Sequence, residues 1–412
     1  MNGTMFFTSE CLTGERLSWL VDLMKYYSTK LYPESLHRYP RTRTPLFYFF
    51  LLGDAGYSIL DHQHRHFWET MFKLPSFRCV FDSREIHLRG ISLEPLKMRF
   101  PGQIICSLPE DDKSGLPFWN LLLDTACDSS RSPAIGFLFL NSPGPYQSSS
   151  YVLDLFRTAV GNDISPEFYG YLDGVHALHR DQAPVDHENT ADSFSVIHKI
   201  AMKKGLFAMS LICSQSATSR GYRTFIGENG KIVSNCVNPP AKIASLDHII
   251  TRFLKSHPIL THTSFSIEIV PQRKFPSITT SLTRNPPSLV ILATHHPYGT
   301  EYMKGAMTLG VACAHQGILT RIVFIEDGIY TLTGQHHQEG EYPPYDLQEV
   351  IKKTAHLDNL EYYVYSPSMK IRGLQTSPFL KSVCPIGPSE LAQIVLQPPA
   401  NIEAGLQRVL VF

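Results

Sequence analysis

The chain is marked by short, unbroken apolar runs, each ending in small or polar residues. Runs of this kind suit parallel strands covered on both faces, because neither face then meets water. From residue 288 onward, SLVILAT stops at His295-His296-Pro297-Tyr298-Gly299-Thr300, and a helical stretch follows to about Gln316. TRIVFIEDGIY then predicts a second strand ending at Asp327-Gly328, DLQEVIKKTAHL a helix, and EYYVY a third strand. After that strand, Ser366-Pro367 supplies an N-cap and a proline at the first helical position, and Gly373 closes the short helix. LQRVLVF reads as the last strand.

The middle of the chain repeats this order. AIGFLFL ends at Ser142-Pro143-Gly144-Pro145-Tyr146, EFYGYLDGV carries Asp173-Gly174, a helix covers roughly 191 to 204, and AMSLI leads into Cys213 and Gly221. A helix at SLDHIITRFLKS and a strand at SFSIEIV are expected to finish this segment. In both segments Asp-Gly stands 46 to 48 residues before the closing glycine.

The first 125 residues follow the same order more loosely, with strand TMFFTSE, helix LSWLVDLMKYYSTKLY, strand LFYFFLLGDAGYS carrying Gly53-Asp54, and strand FRCVF. TKLYPESLHRYPRTR is an extra stretch between the first helix and its strand. Asp82 and Glu85 have capping-box spacing, and a glycine stands eight residues after each of Asp82, Cys213 and Tyr365. Polar, proline-rich CDSSRSP at 127–133 and KFPSITTSLTRNPPS at 274–288 read as linkers. The expectation is an α/β protein of three tandem domains, 1–128, 133–275 and 286–412, each with a mainly parallel sheet flanked by helices.

Composition narrows the function. With 43% hydrophobic and 18% charged residues and a formal charge of zero, the 412-residue chain has a globular composition and no general basic surface, so no direct nucleic-acid partner is expected. No apolar run approaches the ~18 residues that span a bilayer, and MNGTMFFTSECL has no signal-peptide pattern, so a cytoplasmic protein without direct membrane contact is expected. The eight cysteines (11, 79, 106, 127, 213, 236, 313, 384) contain no C-x-x-C pair, which argues against a zinc ribbon or a redox dithiol. In a reducing compartment they are free thiols. The histidine groups His62-Gln63-His64-Arg65-His66, His295-His296 and His336-His337 lack H-E-x-x-H spacing, and GENGK at 227–231 is a turn and not a phosphate loop. Neither a metal nor a cofactor is expected.

Cys213 is the candidate for chemistry. It ends an apolar strand and opens LICSQSATSRGY, so its sulfur is expected uncovered at the sheet rim, where unpaired N–H groups and the positive end of a helix favour the nucleophilic thiolate. Ligand sites of open α/β sheets lie beyond the same strand ends. Asp173, Tyr146, His176 and Arg220 are the candidate supporting residues, with His176 or His179 a possible proton partner. Plainer readings stand beside these: a core thiol at 213, turn aspartates at 54, 173 and 327, and last-turn cations at Arg89, Arg220 and Arg372.

These residues also resemble a known family, the DsrE-like sulfurtransferase subunits of the TusBCD sulfur relay and its DsrEFH relatives. ATHHPYGTEYMKGAMTLGVACAHQG, FIEDGIYTLTGQ and YVYSPSMKIRGL are similar to the TusC or DsrF subunit. NSPGPYQSS, YLDGVHA and ICSQSATSRGY are similar to TusD or DsrE, whose persulfide-carrying cysteine begins such a segment. FFTSECLTGERLSWL, LLGDAGYSIL and SREIHLRGI resemble TusB or DsrH. The resemblance implies a heterotrimer fused into one chain, in which Cys213 takes sulfane sulfur from a TusA-like carrier and passes it to a downstream acceptor. The destination it implies is 2-thiouridine synthesis on tRNA or dissimilatory sulfur oxidation, and the assembly a homodimer. The chain departs from the pattern at Tyr365 and Asp82, which hold the places equivalent to Cys213 and cannot carry sulfur. The alternatives from other classes are a binding scaffold without turnover and a flavodoxin-like nucleotide or flavin binder, against which the missing phosphate motif counts.

Overall fold

The structure, a computed structural model, describes residues 2–31, 47–107, 117–127, 133–143, 148–185, 188–227, 230, 232–254, 259–261, 265–271, 288–334, 346–374, 381–397, 399 and 407–412. The apolar runs form strands in the predicted order. The first segment contributes β1 (Asn2–Thr8), β2 (Phe47–Leu51), β3 (Phe77–Asp82) and β4 (Ile104–Ser107). From the middle come β5 (Ala134–Phe139), β6 (Ser165–Gly170), β7 (Met209–Cys213), the hairpin β8 (Thr224–Ile226) and β9 (Ile232–Ser234), β10 (Lys242–Ala244), β11 (Ile259–Thr261) and β12 (Ser266–Pro271). The last segment adds β13 (Ser288–Ala293), β14 (Leu319–Phe324), β15 (Leu360–Tyr365), β16 (Val383–Ile386) and β17 (Gln407–Val411).

Every residue of β5, β6 and β13 is buried, which explains the unbroken apolar or small-residue character of β5 and β13; β6 buries Glu167 as well, which pairs with Tyr169 and Arg252. The middle sheet runs β10-β7-β6-β5-β11, all parallel, and the last five strands run β16-β15-β14-β13-β17, also parallel. Strands alternate with helices along the chain, giving mixed α/β layers with mostly parallel sheets flanked by helices.

One assignment from the sequence is corrected. SFSIEIV does not finish the middle sheet. Its strand, β12, pairs antiparallel with β1 from Asn2↔Pro271 to Phe7↔Ser266, and antiparallel with β17 at Ile267↔Val409. It thus takes the place in β4-β3-β2-β1-β12 that β11 and β17 take in the other two sets, and joins the first and last sets into one ten-stranded sheet. The physical reason is local supply: among the described residues, the first segment ends in the helix Pro117–Ala126 and has no fifth strand of its own to cover the open edge of β1.

The three sets share their turns as well. After β2, β6 and β14 the chain enters a 3₁₀ helix, at Gly53–Ile59, Leu172–Leu178 and Glu326–Leu332. The first residue of each lies in the left-handed region, with φ of 57° at Gly53, 51° at Leu172 and 54° at Glu326. Only glycine adopts that conformation cheaply, so Leu172 and Glu326 are held there by their contacts.

Candidate functional site

Asp82, Cys213 and Tyr365 occupy one position, three times over. Each ends a strand and N-caps a six-residue helix, Ser83–Leu88, Ser214–Ser219 or Ser366–Ile371, with extended φ and ψ of −77° and 120°, −67° and 124°, and −79° and 110°. The glycines that close these helices, Gly90, Gly221 and Gly373, have φ of 63°, 79° and 67°. Asp82 uses its carboxylate as the cap, accepting from Arg84 N at 2.8 Å and Glu85 N at 3.3 Å. Glu85 does not complete the expected capping box; its carboxylate is taken by Arg89 and by Tyr151 Oη.

The exposure expected for Cys213 is corrected. The residue is 0% exposed, and among the described residues nothing hydrogen-bonds to its thiol. It lies in a core cluster that contains Leu172, Ala244 and Ile249 of the middle segment and Met303 and Ala306 of the last, so the two segments share the core to which it belongs. The strand end itself is where it was expected, and Cys213 pairs there with Ala244 of the neighbouring strand β10.

Arg89, Arg220 and Arg372 do not simply face solvent at a helix end. Each binds the aspartate of its own 3₁₀ turn: Arg89 Nε lies 3.0 Å from Asp54 Oδ1, Arg220 Nε 2.7 Å from Asp173 Oδ1, and Arg372 Nη2 2.6 Å from Asp327 Oδ1. Each also reaches a group from, or shared with, another segment. Arg220 donates to Glu301, and Arg372 Nη1 lies 2.7 Å from Glu15 Oε2. Arg89 shares Glu85 with Tyr151 of the middle segment. Glu15 and Glu301 stand at the starts of the corresponding helices Gly14–Tyr26 and Tyr302–His315, so the pattern repeats around the molecule.

The residues packed beneath these pairs differ. Tyr151 Oη would lie 2.8 Å from a Cβ at Gly53, and Leu172 Cδ1 would lie 2.7 Å from one at Gly305, so each bulky side chain fills the space of a glycine. At the third junction Glu326 receives Arg16 and Trp19. Leu172 N donates to Ser216 Oγ at 3.1 Å and Glu326 N to Ser368 Oγ at 3.0 Å. Ser216 and Ser368 each stand three residues after the strand-end position, a signal present in the sequence but masked by the commonness of serine.

Of the supporting candidates, Asp173 and Arg220 are brought together, and Tyr146 lies outside the described residues. His176 Nδ1 is 3.2 Å from Tyr222 Oη, and the His179 ring meets Tyr222 edge-on at 5.2 Å between centroids. Burial pushes the His176 pKa down, with Asp173 opposing and Arg220 adding to the effect. Tyr222, which the sequence reading passed over, is thus the centre of that group, and burial followed by the nearby Cys236 pushes its pKa up. In the last segment, His296 Nε2 lies 3.2 Å from Asp327 Oδ2 and its ring stacks on Tyr330. Among the described residues no group of histidine, cysteine or carboxylate side chains could hold a metal ion.

The last segment matches a known protein family. Residues 288–402 match the DsrE/DsrF-like family. In this DsrE/DsrF-like region the strand-end position is Tyr365, not a thiol. The family is associated with sulfur relay. Among solved structures, the YchN protein of E. coli is similar at 26% sequence identity over 31% of this chain and 99% of its own, with a TM-score of 0.26. No curated protein matches the chain. No helix among the described residues is long and apolar enough to cross a membrane.

Proposed function

We propose that the chain is a sulfur-relay sulfurtransferase of three DsrE-like units, corresponding to 1–128, 133–275 and 286–412 with β12 lent to the first, and that Cys213 carries the sulfur. The observation that supports this most is the recurrence of one strand-end, helix-start position as Asp82, Cys213 and Tyr365, of which a single one is a thiol. The chemistry is an exchange. The Cys213 thiolate attacks the terminal sulfur of a donor persulfide, the donor's S–S bond breaks as a new one forms at Cys213 Sγ, and the donor cysteine leaves as a thiolate that takes up the proton. No net oxidation occurs. A TusA-like carrier is the proposed donor, a downstream protein of the tRNA 2-thiouridine pathway the proposed acceptor, and a homodimer in the cytoplasm the proposed working form.

A second reading, a partner-binding scaffold in which Cys213 is a core thiol, draws on the complete burial of that residue. Incubation with a persulfidated carrier separates the two. The relay reading expects the chain to gain one sulfur atom in intact-mass measurement and expects Cys213→Ser to lose that gain; an undiminished gain in the variant rejects it.

A further inference from the structure

The middle and last segments meet at a seam beside Cys213, whose buried side chains share one core cluster with that residue. Leu172, held at a φ of 51°, is fixed from both sides. Its N–H donates to Ser216 Oγ at 3.1 Å, in the helix that begins after Cys213, and its side chain fills the notch at Gly305 in the helix Tyr302–His315. The neighbouring Tyr171 Oη donates to the Gly305 carbonyl at 3.1 Å. At the outer edge, Arg220 ties Asp173, the residue after Leu172, to Glu301 at the start of that same helix.

The seam differs in kind from the junction of the last and first segments. That junction runs through one hydrogen-bonded sheet across β17, β12 and β1 and adds the buried Arg16–Glu326 pair. Among the described residues the middle sheet pairs with no strand of the other two sets, so the seam over Cys213 is held by side chains. Arg220 itself is 10% exposed, but its Asp173 and Glu301 partners are 54% and 45% exposed, so both ion pairs are open to screening from the carboxylate side.

We propose that this seam is a latch, in which Leu172 and the helix Tyr302–His315 cover the Cys213 thiol and release of Arg220 from Glu301 uncovers it. The proposal rests on the sulfur-carrier reading of Cys213 and accounts for a carrier that is covered at rest. It also assigns Glu301 and Leu172, which touch no reacting atom, as positioning residues. Loss of one exposed ion pair shifts such an opening equilibrium about two- to fivefold.

The test is the rate at which N-ethylmaleimide alkylates each cysteine of the folded, full-length chain, followed by peptide mass spectrometry. In the parent chain Cys213 reacts more slowly than exposed Cys384. Glu301→Gln, and separately raised salt, increase the Cys213 rate about two- to fivefold while leaving unchanged the rate at Cys79, which is buried in the first segment's core and reports general unfolding. Leu172→Ala increases it further on the same control. An unchanged Cys213 rate in both variants, or a rise matched at Cys79, overturns the latch. Sulfur uptake from a persulfidated carrier distinguishes the two levels of the account. Uptake at Cys213 with equal rates in parent and Glu301→Gln chains keeps the carrier and removes the latch, whereas faster alkylation with no uptake in either chain keeps the latch and removes the carrier.

Discussion

Arg16 and Glu326 meet in a two-point ion pair, with Nε 2.9 Å from Oε1 and Nη2 2.6 Å from Oε2, their side chains 8% and 9% exposed. Trp19 Nε1 adds a third donor to Glu326 Oε1 at 2.9 Å. A carboxylate can be kept this far from water only when its lone pairs are filled, and here donors of the first segment fill those of a carboxylate of the last.

Glu326→Ala therefore removes the carboxylate that makes a two-point pair with the buried Arg16 guanidinium, and is expected to cost about 3–5 kcal/mol in urea unfolding. The double variant Arg16→Met with Glu326→Leu removes both charges at once. Leu172 holds the equivalent turn position with φ of 51°, so leucine fits that backbone, and the double variant is expected to cost less than half the single one. Equal losses would show that the pair's charge plays no part.

Arg220 and Arg372 make the same pattern in different surroundings. Glu15, bound by Arg372, is 14% exposed, while Glu301, bound by Arg220, is 45% exposed. Arg220→Met is expected to cost no more than about 1 kcal/mol and Arg372→Met about 1 kcal/mol more, by the same unfolding measurement. The reverse order would contradict the assignment of the weaker tie to the seam over Cys213.

The cap at Asp82 is a separate quantity. Among the described residues its carboxylate is the one side chain of the three strand-end residues that caps its helix, and Asp82→Ala is expected to cost about 0.5–2 kcal/mol. A loss within the noise of the unfolding curve would mean that Arg84 N and Glu85 N find water instead.

Stability should fall on mild acidification. Burial lowers the pKa values of His176, His198 and His295 in the folded chain, with Asp173 partly opposing at His176, the Ala208 backbone at His198, and the Phe412 backbone, Glu326 and Asp327 at His295. The unfolded chain then binds more protons just below the ordinary histidine value of about 6.5, so the stabilisation is complete above that pH and declines as pH falls toward the lowered folded values. Urea midpoints should decrease with pH in this window, and His295→Asn should flatten the slope. A midpoint that rises on acidification would contradict the burial of these rings.

Much of this architecture could be read from local pattern. Runs such as 134–139 and 288–293 are buried throughout, so their apolar continuity carries the strand signal directly. Strands of three or four residues, at 104–107, 242–244, 259–261 and 383–386, are too short to show a period. SFSIEIV was legible as a strand but not as a member of the first sheet, because pairing partners are set by tertiary packing and β12 is separated in sequence from both. The site divides in the same way. The strand-end position of Cys213 and the recurring arginines follow from spacing, whereas their partners Glu15 and Glu301, and part of the core cluster that Cys213 shares, come from other segments.

The relay account is tested most directly by mapping where sulfane sulfur resides after the chain has been charged by a persulfidated carrier. Digestion and mass spectrometry across all eight cysteines should find the added sulfur on the peptide containing Cys213, lost on reduction and missing in Cys213→Ser. Sulfur found instead on exposed Cys11 or Cys384, or on half-buried Cys236, with the Cys213 peptide unmodified, would contradict it.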